Sequence, residues 1–262
     1  MKFALYSLVL LAALLAAIYA FGPREPVAGP ITVDREAIAG DVDAYLYQAE
    51  ANVPRLVRGA QKHVQWHDPA RKNRTEWAVV YIHGFSATSF EIRPVPKLVA
   101  ESLEANLYYT RLQGHGRNGR AMAEGTVPGW MNDVAEALAI GRRIGDRVLL
   151  VGTSTGGTLA AMAAFDPRLR DDIDALVFVS PNFGIQATGS ELLTLPFARS
   201  FVPLLVGPER AFAPRNEEHG KRWTAAYPTT AVIPMAASVK AANSLPFEEA
   251  THPALFVFAD AD

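Results

Sequence analysis

One serine lies at the junction between an aliphatic run and a stretch of small residues. Residues 148–159 read V-L-L-V-G-T-S-T-G-G-T-L, in which Ser154 lies between Gly152 and Gly156. A buried strand that turns sharply into a helix needs glycine at such positions, because strand and helix approach too closely for side chains. The helix directs free backbone N–H groups at the serine oxygen, and the Thr155 N–H can hold an oxyanion. The pattern predicts Ser154 as a nucleophile and Thr155 as an oxyanion donor, although the same motif also occurs by chance in glycine-rich loops.

Two further motifs precede the Ser154 motif in the sequence. Residues 77–84 read W-A-V-V-Y-I-H-G, an apolar strand that ends in a His-Gly turn, and residues 110–117 read T-R-L-Q-G-H-G-R. Together with G-T-S-T-G, and in this order, they resemble the motifs of the α/β-hydrolases, in particular the serine hydrolases that include monoacylglycerol lipases, lysophospholipases and carboxylesterases. The resemblance covers residues 77–262. It implies that Phe85, which follows the His-Gly turn, donates the second oxyanion N–H.

The resemblance also implies a catalytic carboxylate after the last strand. Residues 253–259 read P-A-L-F-V-F-A and are followed by Asp260 and Asp262. The acid of a triad belongs at the carboxyl end of a strand. In the α/β-hydrolases it comes three positions after a small residue, which here is Ala259. We therefore predict Asp262 as the acid, with Asp260 as the alternative, and two aspartates in a turn can also be merely solvated.

A triad also needs a histidine, and none of the six histidines lies in the expected place. In α/β-hydrolases the order along the chain is serine, acid, histidine, and the sequence has no residue after Asp262. His252 precedes the last strand and should lie at the opposite end of the sheet from Ser154. His115 belongs to the G-H-G segment, which that family uses for loop packing. We expect residues 1–262 to be a C-terminally truncated fragment that lacks the final strand, the catalytic histidine and a closing helix.

Composition indicates one large folded domain. Hydrophobic residues make up 50% of the chain and charged residues 20%, which suits a buried core. Strands and helices alternate from Trp77 onward, which predicts an α/β fold with a doubly wound, mostly parallel sheet. The net charge of −2 argues against a nucleic-acid partner, and the absence of cysteine excludes disulfides and thiolate metal sites. His63 and His67 would pair as metal ligands only on a helix, and their segment is typical of a strand, so no metal site is predicted.

The N-terminus is an uncharged apolar segment. Residues 3–21 follow Lys2 and are long enough to cross a bilayer core of about 30 Å. We predict a transmembrane anchor over residues 1–22, with a cleaved signal peptide as the alternative. Residues 23–33, which contain several prolines, would be a tether. The domain that follows would then be membrane-anchored and extracytoplasmic, or secreted or periplasmic after cleavage.

The alternation of strands and helices stops between Pro181 and His252. This stretch is rich in leucine, phenylalanine and proline, and lies where the α/β-hydrolases insert a cap. We predict a helical cap at about residues 183–250 within a hydrolase domain of residues 34–262. Its apolar side chains would line a pocket over Ser154, or would only form the core of the cap itself.

These features predict a serine hydrolase that cleaves a carboxylic ester, lipid-like or with a small acyl group, through an acyl-enzyme. A thioesterase or peptidase on the same fold is an alternative, because specificity depends on the cap. A non-catalytic binding module is another, if the chain truly ends at residue 262. The expected partners are a small-molecule ester or lipid-like substrate and, through the N-terminal helix, a membrane. No metal or organic cofactor is implied.

Overall fold

The computed structural model describes residues 2–259, in which helices and strands alternate over most of the length. The helices are α1 (Lys2–Phe21), α2 (Arg35–Ala39), α3 (Val42–Ala51), α4 (Val95–Ser102), α5 (Val127–Ile144), α6 (Thr155–Phe165), α7 (Ala198–Val206), α8 (Glu217–Arg222) and α9 (Val232–Ala242). The strands are β1 (His63–Gln65), β2 (Thr75–Ile82), β3 (Asn106–Tyr109), β4 (Gly145–Thr153), β5 (Ala175–Val179), β6 (Glu209–Ala211), β7 (Ala226–Pro228) and β8 (Ala254–Val257).

Six of these strands form the central sheet, in the order β1-β3-β2-β4-β5-β8. Neighbours run parallel, except that β1 is antiparallel to β3. In the register of β2 and β4, Ile82 lies opposite Gly152. The turns that follow these two central strands therefore leave the same edge of the sheet side by side, which is where parallel α/β sheets place their sites.

Helices cover both faces of the sheet. Val80 and Ile82 of β2 pack in one buried cluster with residues of α5 and α6. Val79 and Tyr81 face the other way and pack near Ala100 of α4. Burial on both faces explains why these strands read as continuous apolar runs. The predicted α/β class with a doubly wound, mostly parallel sheet is confirmed.

The sequence pattern predicts a helix over residues 34–53, a hairpin over residues 57–66 and a helix over residues 89–104, and the structure differs from each prediction in extent. The helix expected over residues 34–53 is divided at Gly40 into α2 and α3, because Asp34 and Asp41 each cap a new helix start. The hairpin expected over residues 57–66 is reduced to β1, which pairs with β3 instead. The helix expected over residues 89–104 begins only at Val95, since the prolines around its start disfavour helical backbone before them.

A buried ion pair connects the N-terminal helices to the segment after β3. The guanidinium of Arg111 donates from Nη2 and Nε to the two carboxylate oxygens of Glu50 in α3, at 2.8 Å each. Its Nη1 also donates to the carbonyl of His115 at 3.2 Å. Both side chains of the pair are buried. Residues that precede the hydrolase motifs thus help to fix the G-H-G segment.

The apolar N-terminal segment forms the expected helix, α1, and the chain after it contacts the segment between β5 and β8. The Phe197 N–H donates to the carbonyl of Pro23 at 2.8 Å, and Arg199 pairs with Glu25. Across residues 2–259 the structure contains no helix that meets the length and apolarity needed to cross a membrane. The transmembrane anchor expected over residues 1–22 is therefore not supported, and the extracytoplasmic location stays a prediction.

Residues 183–250 contain α7, α8 and α9 and a small antiparallel sheet of β6 and β7. Ala198 and Val202 of α7 are buried together with Ile233 of α9 in a cluster of their own. This segment also touches the turn after β2, because the Thr224 N–H donates to the Ser86 carbonyl at 2.7 Å. Its role as a cap stays a prediction.

Candidate active site

Ser154 occupies the sharp turn between β4 and α6. Its φ and ψ angles are +51° and −118°, in a region that favours glycine. Backbone hydrogen bonds hold it there: the Ser154 N–H donates to Val179 O at 3.0 Å, and the N–H groups of Gly157 and Thr158 donate to Ser154 O at 2.9 and 3.1 Å. The hydroxyl group thus lies at the N-terminus of α6, where free N–H groups and the positive end of the helix dipole favour negative charge.

Two glycines allow the strand and the helix to approach at this turn. A Cβ atom on Gly152 would lie 2.5 Å from Gly156 O, and one on Gly156 would lie 2.2 Å from Ile82 O. Neither distance is tolerable for a side chain. The close approach inferred from the glycine spacing is present.

The His-Gly turn after β2 lies directly beside Ser154. A Cβ atom on Gly84 would lie 3.1 Å from Ser154 Cβ. The Phe85 ring packs edge-on against the rings of His115, Trp130 and Tyr227. The turn that contains Phe85 therefore lies beside the turn that contains Ser154 and Thr155.

His83 and His115 are buried structural side chains. His83 Nδ1 lies 2.9 Å from Gly84 O, and its Nε2 accepts from the Leu112 N–H at 3.1 Å. Nδ1 must then carry the proton, so the ring is neutral. Burial lowers the pKa of His83 to about 4, and burial followed by the neighbouring His83 lowers that of His115 to about 3. His115 donates towards Gln113 O, and its Nε2 has no hydrogen-bond partner among the described residues.

Glu91 is a further acidic residue at this turn, and reasoning from the sequence missed it. Its Oε2 accepts from the Gly84 N–H at 2.7 Å and from the Tyr81 hydroxyl at 3.1 Å. Burial raises the pKa of this carboxyl to about 7, although both hydrogen bonds act to lower it. The only available signal was an acid in the otherwise apolar run F-E-I after the His-Gly turn.

A cleft of about 380 Å³ opens at Ser154. Its walls include Asn182 and Phe258, which follow β5 and β8. A second cavity of about 260 Å³ lies within residues 183–250 and is lined mainly by aliphatic side chains together with Tyr227 and Met235. The two are neighbours, since Asn182 contacts Met235 Sδ at 3.3 Å and Tyr227 packs on Phe85.

The model of the alpha/beta hydrolase family matches residues 79–262, which is most of the chain. This chain belongs to the alpha/beta hydrolase family. No curated protein sequence matches it significantly.

Solved structures resemble this alpha/beta hydrolase in fold. A structure of the metagenome-derived lipolytic enzymes LipS and LipT has a TM-score of 0.61 and 19% sequence identity, over 78% of each chain. A soluble variant of the monoglyceride lipase from Saccharomyces cerevisiae, in complex with a substrate analogue, has a TM-score of 0.51 and 11% identity. It covers 76% of this chain and 72% of its own. At these identities the similarity shows the fold alone.

In this alpha/beta hydrolase, the predicted acid lies outside the described residues, as does its alternative: Asp262 and Asp260 both follow residue 259. The strand that leads to them is present, because β8 pairs in parallel with β5. The Ser180 N–H donates to Val257 O at 2.8 Å, next to the serine turn. The chain after β8 therefore begins on the same side of the sheet as Ser154.

The four remaining histidines lie away from the serine turn. His252 precedes β8 at the opposite end of the sheet and contacts Arg170 O. His63 lies in the edge strand β1, His67 follows it, and His219 packs against Trp223 within α8 and its flank. Within residues 2–259 no group of three or more histidine, aspartate or glutamate side chains could hold a metal ion.

Proposed function

We propose that this alpha/beta hydrolase is a serine esterase that cleaves a carboxylic ester through an acyl-enzyme on Ser154. The observation that carries the proposal is the strained serine at the N-terminus of α6, directly beside the His-Gly turn. A serine in this position has an exposed hydroxyl group and backbone donors close to it.

Two N–H groups are proposed to stabilise the negative charge that develops on the substrate. The Ser154 oxygen attacks the ester carbonyl, and the carbonyl oxygen becomes an oxyanion between the N–H groups of Phe85 and Thr155. A general base takes the proton of the Ser154 hydroxyl and gives it to the alcohol that the tetrahedral intermediate expels. The same base then takes a proton from the water that releases the acid from the serine. Each oxyanion donor should contribute about 3 kcal/mol to lowering the barrier.

The proposed carboxylate of the triad is Asp262, with Asp260 as the alternative. The direction of β8 supports either one, because the strand ends beside the serine turn. The general base is assigned to none of the six histidines. His83 uses both ring nitrogens in backbone hydrogen bonds, His115 is buried against aromatic rings, and the other four lie elsewhere.

The substrate is proposed to be an ester with a lipid-like or small acyl group. Residues 183–250 would act as the cap, and the aliphatic cavity next to the Ser154 cleft would accept the apolar part of the substrate. The lipolytic activity of LipS and LipT and the monoglyceride lipase activity of the yeast protein, as their descriptions name them, are compatible with this choice.

Reaction of the full-length natural protein with a fluorophosphonate probe tests the assignment, since only a serine that is activated by a general base reacts. We expect the wild-type protein and the Ser102→Ala control to be labelled and to hydrolyse p-nitrophenyl esters of several chain lengths. Ser154→Ala should lose both labelling and turnover and keep its fold.

Matched thioester and anilide substrates in the same assay distinguish an esterase from a thioesterase or a peptidase. Esters should have the highest kcat/KM. Wild-type protein that is folded but neither labelled nor active would contradict the proposal and favour a binding module. Turnover in Ser154→Ala equal to that of the wild type would contradict the choice of nucleophile.

A further inference from the structure

We propose that Glu91 is a positioning residue, whose carboxylate fixes the His-Gly turn so that the Phe85 N–H points at the oxyanion. The inference rests on the proposed function, because it concerns one of the two donors assigned there. Glu91 itself would not touch the substrate.

The turn needs an external restraint because its central residue must be glycine. A Cβ atom on Gly84 would lie 2.7 Å from Glu91 Oε1 and 3.1 Å from Ser154 Cβ. The carboxylate and the nucleophile therefore occupy the space where a side chain would be. Glycine leaves that space free, but its φ and ψ angles are the least restricted of any residue.

Two side chains hold the peptide groups on either side of Gly84. On the preceding side, Glu91 Oε2 accepts from the Gly84 N–H at 2.7 Å, a distance typical of a charge-assisted hydrogen bond. On the following side, His83 Nδ1 donates to Gly84 O at 2.9 Å. In a planar trans peptide the N–H points opposite to the C=O. Fixing Gly84 O therefore fixes the direction of the Phe85 N–H. The contact from His83 alone leaves the φ and ψ angles of Gly84 free to change together, and the hydrogen bond from the Gly84 N–H to Glu91 restricts that change.

Glu91 is itself held by the sheet beneath the serine turn. The Tyr81 hydroxyl of β2 donates to Glu91 Oε2 at 3.1 Å. The same hydroxyl oxygen lies 3.1 Å from the Oγ1 atom of Thr153, the last residue of β4 and the neighbour of Ser154. The donor turn and the nucleophile are thus connected through Tyr81 and Thr153, which keeps their relative position constant.

Burial of the Glu91 carboxyl is energetically unfavourable, which supports a functional role for it. No cation is among the described groups that shift the pKa of Glu91, and burial of a carboxyl without a cation is unfavourable. An apolar residue in the same space would leave the Gly84 N–H and the Tyr81 hydroxyl without this acceptor. The carboxyl contacts the backbone of a turn beside the nucleophile, and buried groups with perturbed pKa values often mark functional sites.

Steady-state kinetics of the full-length natural protein on a p-nitrophenyl ester, with matched variants, tests the role. Glu91→Ala should lower kcat by about 10- to 100-fold and leave KM within about twofold, because the lost restraint acts on the transition state. Glu91→Gln keeps an acceptor of the same length and should return kcat to within about threefold of the wild type. Glu101→Ala on the exposed face of α4 is the control and should leave kcat unchanged.

Should Glu91→Ala prove unstable in thermal melts, Glu91→Met fills the same volume without an acceptor, and the same loss of kcat is expected. The inference is overturned if kcat is unchanged in the folded Ala and Met variants, or if Gln is as impaired as Ala. Failure of the proposed function would look different: the wild-type protein itself would neither react with a fluorophosphonate nor hydrolyse the ester.

Discussion

Ser154 lies in a backbone conformation that its own side chain disfavours. A non-glycine residue at a φ of +51° and a ψ of −118° costs on the order of 1–3 kcal/mol. The hydrogen bonds from Ser154 N to Val179 O and from the first turn of α6 to Ser154 O stabilise it against relaxation. In this conformation Ser154 lines the cleft at the end of the sheet.

Substitution of Ser154 should separate the strain from the chemistry. Both Ser154→Ala and Ser154→Gly remove the nucleophile, but only glycine relieves the strained backbone. We expect Ser154→Gly to be more stable than Ser154→Ala by about 1 kcal/mol, after allowance for the greater freedom of glycine in the unfolded chain. Equilibrium unfolding in urea measures the difference. If alanine proved the more stable of the two, the serine turn would not be strained.

Among individual site residues, the sequence predicted those that belong to continuous motifs. Ser154, Thr155 and Phe85 follow from glycine spacing and from the family resemblance, because those residues act through the backbone near them. Glu91 did not follow, since its partner is the backbone N–H of Gly84 and no side-chain pattern records such a contact. The acids Asp260 and Asp262 stay predictions.

Helix α6 lies directly against the end of β2 near the site, at Gly156. Gly156 allows it, because any side chain there would overlap the carbonyl oxygen of Ile82, at 2.2 Å from the added Cβ. The overlap is with backbone, which cannot rotate away. This contact therefore fixes how far the serine turn lies from the His-Gly turn.

Gly156→Ala should destabilise the protein and displace the serine turn. Overpacking of this kind typically costs about 1–3 kcal/mol, and the displacement should lower kcat as well. Gly184→Ala is the matched control for stability, because a Cβ atom there meets nothing within 4 Å. Urea unfolding of both variants checks the prediction. Equal stability of the two would show that α6 moves freely relative to β2.

Element boundaries were less predictable from the sequence than element types. The strands β2, β4 and β5 were found because strands that are covered by helices on both faces are apolar throughout, and β8 was found from its apolar sequence although its residues are about half exposed. The divided helix before residue 53 and the late start of α4 depend on aspartate caps and prolines that interrupt an otherwise suitable pattern. The pairing of β1 with β3 depends on a contact between distant residues.

Three buried titratable groups couple the stability of the whole molecule to pH in opposite directions. His83 and His115 have pKa values lowered from 6.5 to about 4 and about 3, so their contribution is present above pH 6.5 and is lost as the pH falls. Glu91 has a pKa raised from 4.5 to about 7. Its burial therefore becomes less unfavourable as the pH falls from 7 to 4.5, and it partly offsets the histidines.

Glu91→Gln should remove the stabilisation that protonation of Glu91 provides as the pH falls. Between pH 7 and pH 5 the variant should lose stability faster than the wild type as the pH falls, by up to about 1.4 kcal/mol per pH unit, which corresponds to one proton. Urea unfolding at several pH values gives the two slopes, and other groups cancel in the comparison. Parallel slopes would show that Glu91 titrates near its ordinary pKa.

The position of β8 at the edge of the sheet favours self-association. It pairs with β5 on one side, and within residues 2–259 no strand pairs with its other side. Leu255, Phe256 and Val257 are about half exposed, at 57%, 49% and 48%. An apolar strand with a free row of N–H and C=O groups is a template for strands from other molecules. A preparation that contains residues 1–262 alone should therefore be prone to aggregate through β8, at the edge of the sheet that leads to the serine turn.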